Sequence, residues 1–300
     1  MFETFIRKLR HDTYITLETT PSRSAQFAPT IEKIAALGLD KLVDGFSTTD
    51  NPLAKLKYNA LFAAMKLQDR FGLPTLATMS MRDRNRIALQ SDLLGANESN
   101  VRAILALTGD SAHYSDQPHA KGVFEGNSKL LLDIIATLNN GTDMAEQKLL
   151  APVQEIFPFA VIDSYAKSAA TLQKKMIKKV AHGAIAIISQ PVYDLENAKQ
   201  LLDMMAEANR ENNAHCVLVL GYFPITKLRT ARFLDENVPG IYVPNTWVEA
   251  LEAASQISPE EEYRVGFELS KNLFEELKAL HPKIHIMTAN QFELAKAILS

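Results

Sequence analysis

Three polar side chains stand at the ends of apolar runs, where a folded chain could expose them to a ligand: Glu18, Asp110 and Gln190. Glu18 closes Ile-Thr-Leu-Glu-Thr-Thr-Pro. A carboxyl there, partly withdrawn from water, would hold its proton to higher pH and could serve as a general acid. The plainer reading is a surface Glu paired with a nearby Lys or Arg. Asp110 ends Leu-Ala-Leu-Thr-Gly-Asp, where Gly109 lets the backbone turn sharply and approach a ligand. Its plainer reading is a cap on a turn or helix. Gln190 lies in Ile-Ile-Ser-Gln-Pro-Val-Tyr-Asp; its amide both donates and accepts, which suits the edge of a heterocycle, and Tyr193 offers an aromatic plane beside it. A solvated loop Gln is the plainer alternative. Arg82, Arg84 and Arg86 crowd into one short stretch that could hold phosphates, or could cap the next helix with Asp83 offsetting the charge.

Some chemistries are disfavoured. Cys216 is the only cysteine and sits inside an apolar run, so disulfides, thiolate metal sites and a nucleophilic thiol are not expected. The seven histidines show no pair on one helical face: His281 and His285 are four apart, but Pro282 intervenes. No metal site is expected. Lys174, Lys175, Lys178 and Lys179 sit in a helical pattern and read mainly as a wet face.

The elements that must position these groups follow from periodicity. Short β-branched runs cover 13–18, 41–46, 74–78, 103–107, 157–162, 184–189, 215–220 and 283–287. Between them, apolar spacing of three and four predicts helices, among them 53–71, 85–95, 128–138, 164–182 and 195–212. The continuous apolarity of AIAII and CVLVL suits strands covered on both faces, as in a parallel sheet. Eight such strands alternating with helices predict an α/β fold, a single (β/α)8 TIM barrel spanning 1–300. A doubly wound sheet is the alternative, but the turn after the first run, Thr-Thr-Pro-Ser-Arg, lacks the glycines of a phosphate turn. In a barrel, functional side chains gather at the carboxyl ends of the strands, where Glu18, Asp110 and Gln190 fall.

Composition narrows the partners. Lys+Arg 32 against Asp+Glu 35 gives a net charge of −3, which argues against a general nucleic-acid binder. No apolar run approaches the ~18 residues of a membrane span. The stretch MFETFIRKLRHD lacks the apolar core of a signal peptide, so a cytoplasmic protein is expected. With neither a metal set nor a covalent nucleophile, an organic cofactor would do the difficult step while the protein supplies an acid and orientation.

The same segments resemble the methylenetetrahydrofolate reductase family. The matching pieces are Thr-Asp-Asn-Pro-Leu-Ala from Thr49, Arg-Asp-Arg-Asn-Arg-Ile-Ala-Leu-Gln-Ser-Asp-Leu-Leu-Gly-Ala from Arg82, and Leu-Ala-Leu-Thr-Gly-Asp from Leu105. Ser-Gln-Pro-Val-Tyr-Asp from Ser189, Val-Pro-Gly-Ile-Tyr-Val-Pro from Val238 and Ile-His-Ile-Met-Thr from Ile284 follow in family order. The resemblance implies a barrel that binds FAD and reduces 5,10-methylenetetrahydrofolate to 5-methyltetrahydrofolate with NAD(P)H. By that resemblance Glu18 matches the general acid and Asp110 the carboxylate beside the pterin and flavin. Gln190 matches a substrate-binding amide, and Leu228 takes a place where some members stack an aromatic on substrate. Thr49, Thr78, Arg82, Arg84, Asn85, Thr108, Gly109 and Lys179 fall among the positions where the family contacts FAD. The chain departs from the family on the flavin side: Thr78 stands where His is common, Thr108 where Arg occurs, and the Tyr-Pro or Asn-Pro element is replaced by Phe-Pro-Phe-Ala-Val-Ile-Asp-Ser from Phe157. The alternatives are a folate-dependent methyltransferase acting with a corrinoid or methoxylated donor, and a flavin-free or non-catalytic folate binder. A homo-oligomer or a partner subunit stays open.

Overall fold

Inward and outward side chains alternate along a strand, so a barrel strand must be apolar on both faces unless its end reaches the mouth. The computed structural model, which describes all 300 residues, bears this out. Its strands are β1 (Tyr14–Thr19), β2 (Gly45–Thr48), β3 (Thr75–Ser80), β4 (Ala103–Leu107), β5 (Phe157–Ile162), β6 (Ala186–Pro191), β7 (Val217–Tyr222) and β8 (Lys283–Ile286). All pairs are parallel, and the sheet closes through β1 against β8, with Thr16 opposite His285. The fold is the expected (β/α)8 barrel.

The first helix, α1 (Phe2–His11), precedes the barrel. Around the sheet follow α2 (Ala28–Leu37), α3 (Ala60–Phe71), α4 (Arg86–Glu98), α5 (Ser128–Asn139), α6 (Ala169–Ala181) and α7 (Leu195–Asn212). Three helices, α8 (Leu228–Asn237), α9 (Asn245–Ser255) and α10 (Pro259–Leu280), fill the last crossover, and α11 (Phe292–Leu299) closes the chain. A cluster of 59 buried residues lies between strands and helices. No helix is long and apolar enough to cross a membrane.

Two boundaries differ from the periodicity. The run at 41–46 starts at the end of a 3-10 turn (Leu39–Lys41), and the strand itself is Gly45–Thr48. The helical pattern at 53–71 starts only at Ala60, because Asn59 accepts hydrogen bonds from Leu61 N and Phe62 N and ends the preceding loop. Within that loop Asn51, Leu53 and Ala54 adopt left-handed backbone (φ 46°, 54° and 55°), which no helix can continue.

Helix α1 plugs the amino-terminal end of the barrel. Phe2, Phe5, Ile6 and Leu9 form one stripe and are buried with Tyr14, Leu76, Phe157 and Phe159 in an interior cluster of 13 residues. Gly45 makes room for this plug, since a Cβ there would lie 2.8 Å from the Phe5 ring and 2.6 Å from Pro74 O. The Arg102 guanidinium lies 4.6 Å from the Phe2 ring centre, adding a cation–π contact. Phe5→Ala should therefore cost about 3–5 kcal/mol of unfolding free energy in urea titration. A loss below about 1 kcal/mol would show that α1 is not part of the barrel's core.

Candidate active site

The carboxyl ends of the strands enclose a cavity of about 480 Å³, and a second of about 400 Å³ adjoins it between α5 and α6. Glu18, Asp110 and Gln190 all line the first, and Gln190 lines both.

Glu18 is the penultimate residue of β1 and faces the cavity with neighbours buried on both sides along the strand. Its carboxyl has no hydrogen-bond or ion-pair partner among the side-chain contacts, and burial pushes its pKa up to about 7. A carboxyl that loses hydration without gaining a cation keeps its proton.

Asp110 sits at the rim, exposed, and Oδ2 accepts a hydrogen bond from Leu53 N at 2.6 Å. Gly109 places it there through a left-handed turn (φ 91°); a Cβ at Gly109 would come within 2.9 Å of Arg82 Cβ. Gln190 is aimed by an irregularity in β6, where the register with β7 shifts between Ile188 and Pro191. Ser189 Oγ there donates to Gln190 O (2.8 Å) and accepts from Gly221 N (2.9 Å). Gly221 permits the close crossing, since a Cβ would lie 2.1 Å from Ser189 O.

The arginine stretch behaves differently from a phosphate-holding loop. Arg82 grips Asp83 with Nε and Nη2 (2.7 and 2.6 Å) and donates to Asn51 O. Arg84 bridges Asp50 (2.6 Å) and Asp92 (2.8 Å). These guanidiniums are buried and spent on fixing the loops, so a free phosphate-binding set is not formed by them. Arg82 still lines the cavity; Arg84 does not, and Asn85 caps α4 by accepting from Ala88 N.

Other expected residues do reach the mouth. Thr49, Thr78, Thr108, Gly109 and Lys179 line the first cavity. Thr49 Oγ1 and Ser80 Oγ are buried without a partner, which leaves two hydroxyls to be satisfied by a ligand. Thr108 Oγ1 accepts from Ser128 N at the start of α5 (3.1 Å). Lys179 Nζ donates to Ser128 Oγ (3.1 Å), and burial pushes its pKa down to about 8.

Two substrate candidates are not brought to the site. Tyr193 is buried in the outer core, its hydroxyl donating to Phe223 O (3.0 Å) and its ring edge-on to Trp247. Pro191 is the last residue of β6, and two steps on the chain already turns away from the mouth. Leu228 begins α8, where its N–H donates to Glu262, and it packs against the outer core instead of lining either cavity.

The sequence reading missed two features. His285, inward-facing on β8, lines the mouth cavity; a lone polar residue at an inward position of Lys-Ile-His-Ile-Met was the available signal. The lysines of α6 are not simply a wet face: Lys175, Lys178 and Lys179 line the second cavity with Lys129 of α5. Spacing alone could not show that two helices converge. Cys216 is buried, its thiol pushed up to about 12, and no group of three His, Cys, Asp or Glu is placed to hold a metal.

The sequence matches the family model for methylenetetrahydrofolate reductase over residues 4–300. The chain belongs to the methylenetetrahydrofolate reductase family. No curated protein matches it. Among solved structures, it is similar to a Clostridium thermocellum protein that binds two copies of 5-methyl-5,6,7,8-tetrahydrofolic acid, with TM-score 0.63 and 15% identity over 98% of this chain and 97% of that one. It is also similar to DmoA from Hyphomicrobium sulfonivorans, with TM-score 0.58 and 7% identity over 96% and 86%. At these identities the likeness is one of fold.

The environment of Glu18 sets a stability test. A carboxyl whose pKa rises from an ordinary 4.5 to about 7 on folding costs stability as pH climbs between those values. Glu18→Gln should stabilise the reductase-family fold by about 1–3 kcal/mol at pH 8, allowing for the carboxyl's partial exposure. The gain should fade as pH drops through 7 and vanish below 4.5. Urea unfolding at a series of pH values checks it; a pH-independent difference would contradict a shifted carboxyl.

Proposed function

We propose that the protein reduces 5,10-methylenetetrahydrofolate to 5-methyltetrahydrofolate with NAD(P)H and FAD. The observation that carries this reading is Glu18: an unpaired carboxyl that keeps its proton near neutral pH, in one cavity with Asp110 and Gln190. Family membership supplies the reaction class. The folate bound by the Clostridium thermocellum protein is consistent with a folate for this chain.

The residues present fit a flavin dinucleotide. Lys129, Lys178 and Lys179 offer ammonium groups for a pyrophosphate beside Lys175, which is paired with Asp163, and the unpartnered Thr49 and Ser80 hydroxyls await acceptors or donors in the adjoining cavity. Thr108 lines both cavities, and Gly109 beside it leaves room for Arg82 and Ser80, which a Cβ there would meet at 2.9 and 3.0 Å. When bound, FAD would supply two-electron hydride chemistry between nicotinamide and folate.

The protein's own part is acid catalysis and orientation. Glu18 donates its proton to the folate nitrogen that leaves as the methylene bridge opens, generating an iminium on the substrate. Asp110, anchored through Oδ2 by Leu53 N at the rim of the same cavity, leaves its other oxygen free to stabilise that cation. The Gln190 amide holds the polar edge of the pterin from a backbone whose carbonyl accepts from Ser189 Oγ, itself bonded by Gly221 N. Near neutral pH the acid is present in both protonation states, which lets it give a proton and recover it.

Purified protein should bind FAD and oxidise NADH or NADPH when methylenetetrahydrofolate is supplied. Glu18→Gln should lose folate reduction by roughly 10²–10⁴-fold while NAD(P)H still bleaches the flavin. Equal loss of both half-reactions would remove Glu18 from the acid role. Protein that binds no FAD and moves a methyl group without NAD(P)H would replace reduction with methyl transfer.

A further inference from the structure

Beneath Glu18 lies a group that the proposed chemistry does not use. His285 is 2% exposed and forms part of the cavity floor. Its Nδ1 lies 2.7 Å from Thr16 Oγ1 and its Nε2 lies 3.4 Å from Ser47 Oγ. Both partners flank Glu18: Thr16 precedes it by two on the same face of β1, and Ser47 is its register partner on β2. The imidazole therefore spans the inner wall just below the carboxyl, tied to the two strands that hold it. Thr16 and Ser47 are themselves buried, so the three form one enclosed polar cluster in the barrel.

We propose that His285 is the positioning residue for Glu18: a neutral imidazole, held between Thr16 and Ser47, that seals the floor beneath the carboxyl against water. The inference rests on the reading of Glu18 as the acid. Burial pushes the His285 pKa down to about 4, so the ring brings no positive charge under Glu18. A histidinium there would pull the proton off the acid. The other charged groups lining the cavity are engaged elsewhere. Asp50 is paired with Arg84, Arg82 with Asp83, and Asp163 with Lys175; Asp110 accepts from Leu53 N, and Lys179 donates to Ser128. From β6 come Ser189 and Gln190, both neutral. What remains to govern Glu18 is how dry its floor is, and His285 fills that floor.

Removing the ring leaves a hole lined by the Thr16 and Ser47 hydroxyls, which can hold water. Water there would hydrate the carboxylate and lower the pH at which Glu18 ionises. The test is infrared titration of the full chain without ligands, following the carboxylic acid C=O band that disappears in Glu18→Gln. The wild-type band should titrate near 7. In His285→Ala the midpoint should fall by at least about one unit, tenfold in acidity. His285→Asn, which can still bond Thr16 from the Nδ1 position, should stay close to wild type. An equal midpoint in wild type and His285→Ala, or equal shifts in the Ala and Asn variants, would overturn the role. If His285→Ala does not fold, Thr16→Val removes only the Nδ1 partner and should move the midpoint the same way by a smaller amount; an unmoved midpoint overturns the role there too. Folate turnover is measured separately. Glu18-dependent turnover with an unmoved midpoint sinks only the role of His285, and a shifted midpoint in a protein without turnover sinks only the reduction.

Discussion

Closure of the sheet is the constraint from which the rest follows. Eight parallel strands bonded in a ring leave no edge, and every inward side chain must either pack or find a polar partner inside. The lower interior is filled by apolar side chains and plugged by α1, so water cannot rise from below. One level up, Thr16, Ser47 and His285 satisfy one another. At the top stands Glu18, a carboxyl without a hydrogen-bond or ion-pair partner. The drying of the barrel and the acidity of its mouth are one physical fact seen at two depths.

The charges around the mouth are arranged to leave Glu18 alone. An Arg aimed at it would restore an ordinary carboxylate, because a cation within a few ångströms favours ionisation. Arg82 and Arg84 are instead turned to Asp83, Asp50 and Asp92. These pairs also tie the loop after β3 to the loop after β2, since Asp50 accepts from Ser80 N and Arg82 donates to Asn51 O. The left-handed residues Asn51, Leu53 and Ala54 are held in the same network, and Leu53 N in turn fixes Asp110. Residues that read as ligand contacts in the sequence act here as the frame for two others.

The fold was legible because parallel barrel strands carry a strong signal: runs such as AIAII and CVLVL can hardly be anything but doubly covered strands. Glu18, Asp110 and Gln190 were legible for a related reason, since the end of such a run is where a polar residue reaches the mouth. Tyr193 misled because position along the chain says nothing of direction after a strand ends; the chain turns outward there and the ring joins the core. Helix α1 was missed because its stripe of Phe2, Phe5, Ile6 and Leu9 is short, and short amphipathic helices depend on the surface they meet. The lysine-lined cavity needs α5 and α6 to converge, which is tertiary information.

Burial acts on two groups of opposite kind in this site. Glu18 is raised to about 7 and Lys179 lowered to about 8, each because its charged form loses water. A ligand affects them in opposite senses. An anionic group between α5 and α6 gives Lys179 a charged partner and holds its proton, so that loading of that cavity is favoured below about pH 8 and weakens as the lysine neutralises. A flat, largely uncharged ring system over Glu18 removes still more water and holds its proton more firmly. The two cavities share Thr108, Ser128, Val161, Asp163, Lys179 and Gln190, yet they differ in charge. One gathers the ammonium groups of Lys129, Lys178 and Lys179. The other leaves a single carboxyl without a charged partner. Such a division is what the proposed reduction would require, with electrons arriving with a charged dinucleotide and the proton coming from the protein.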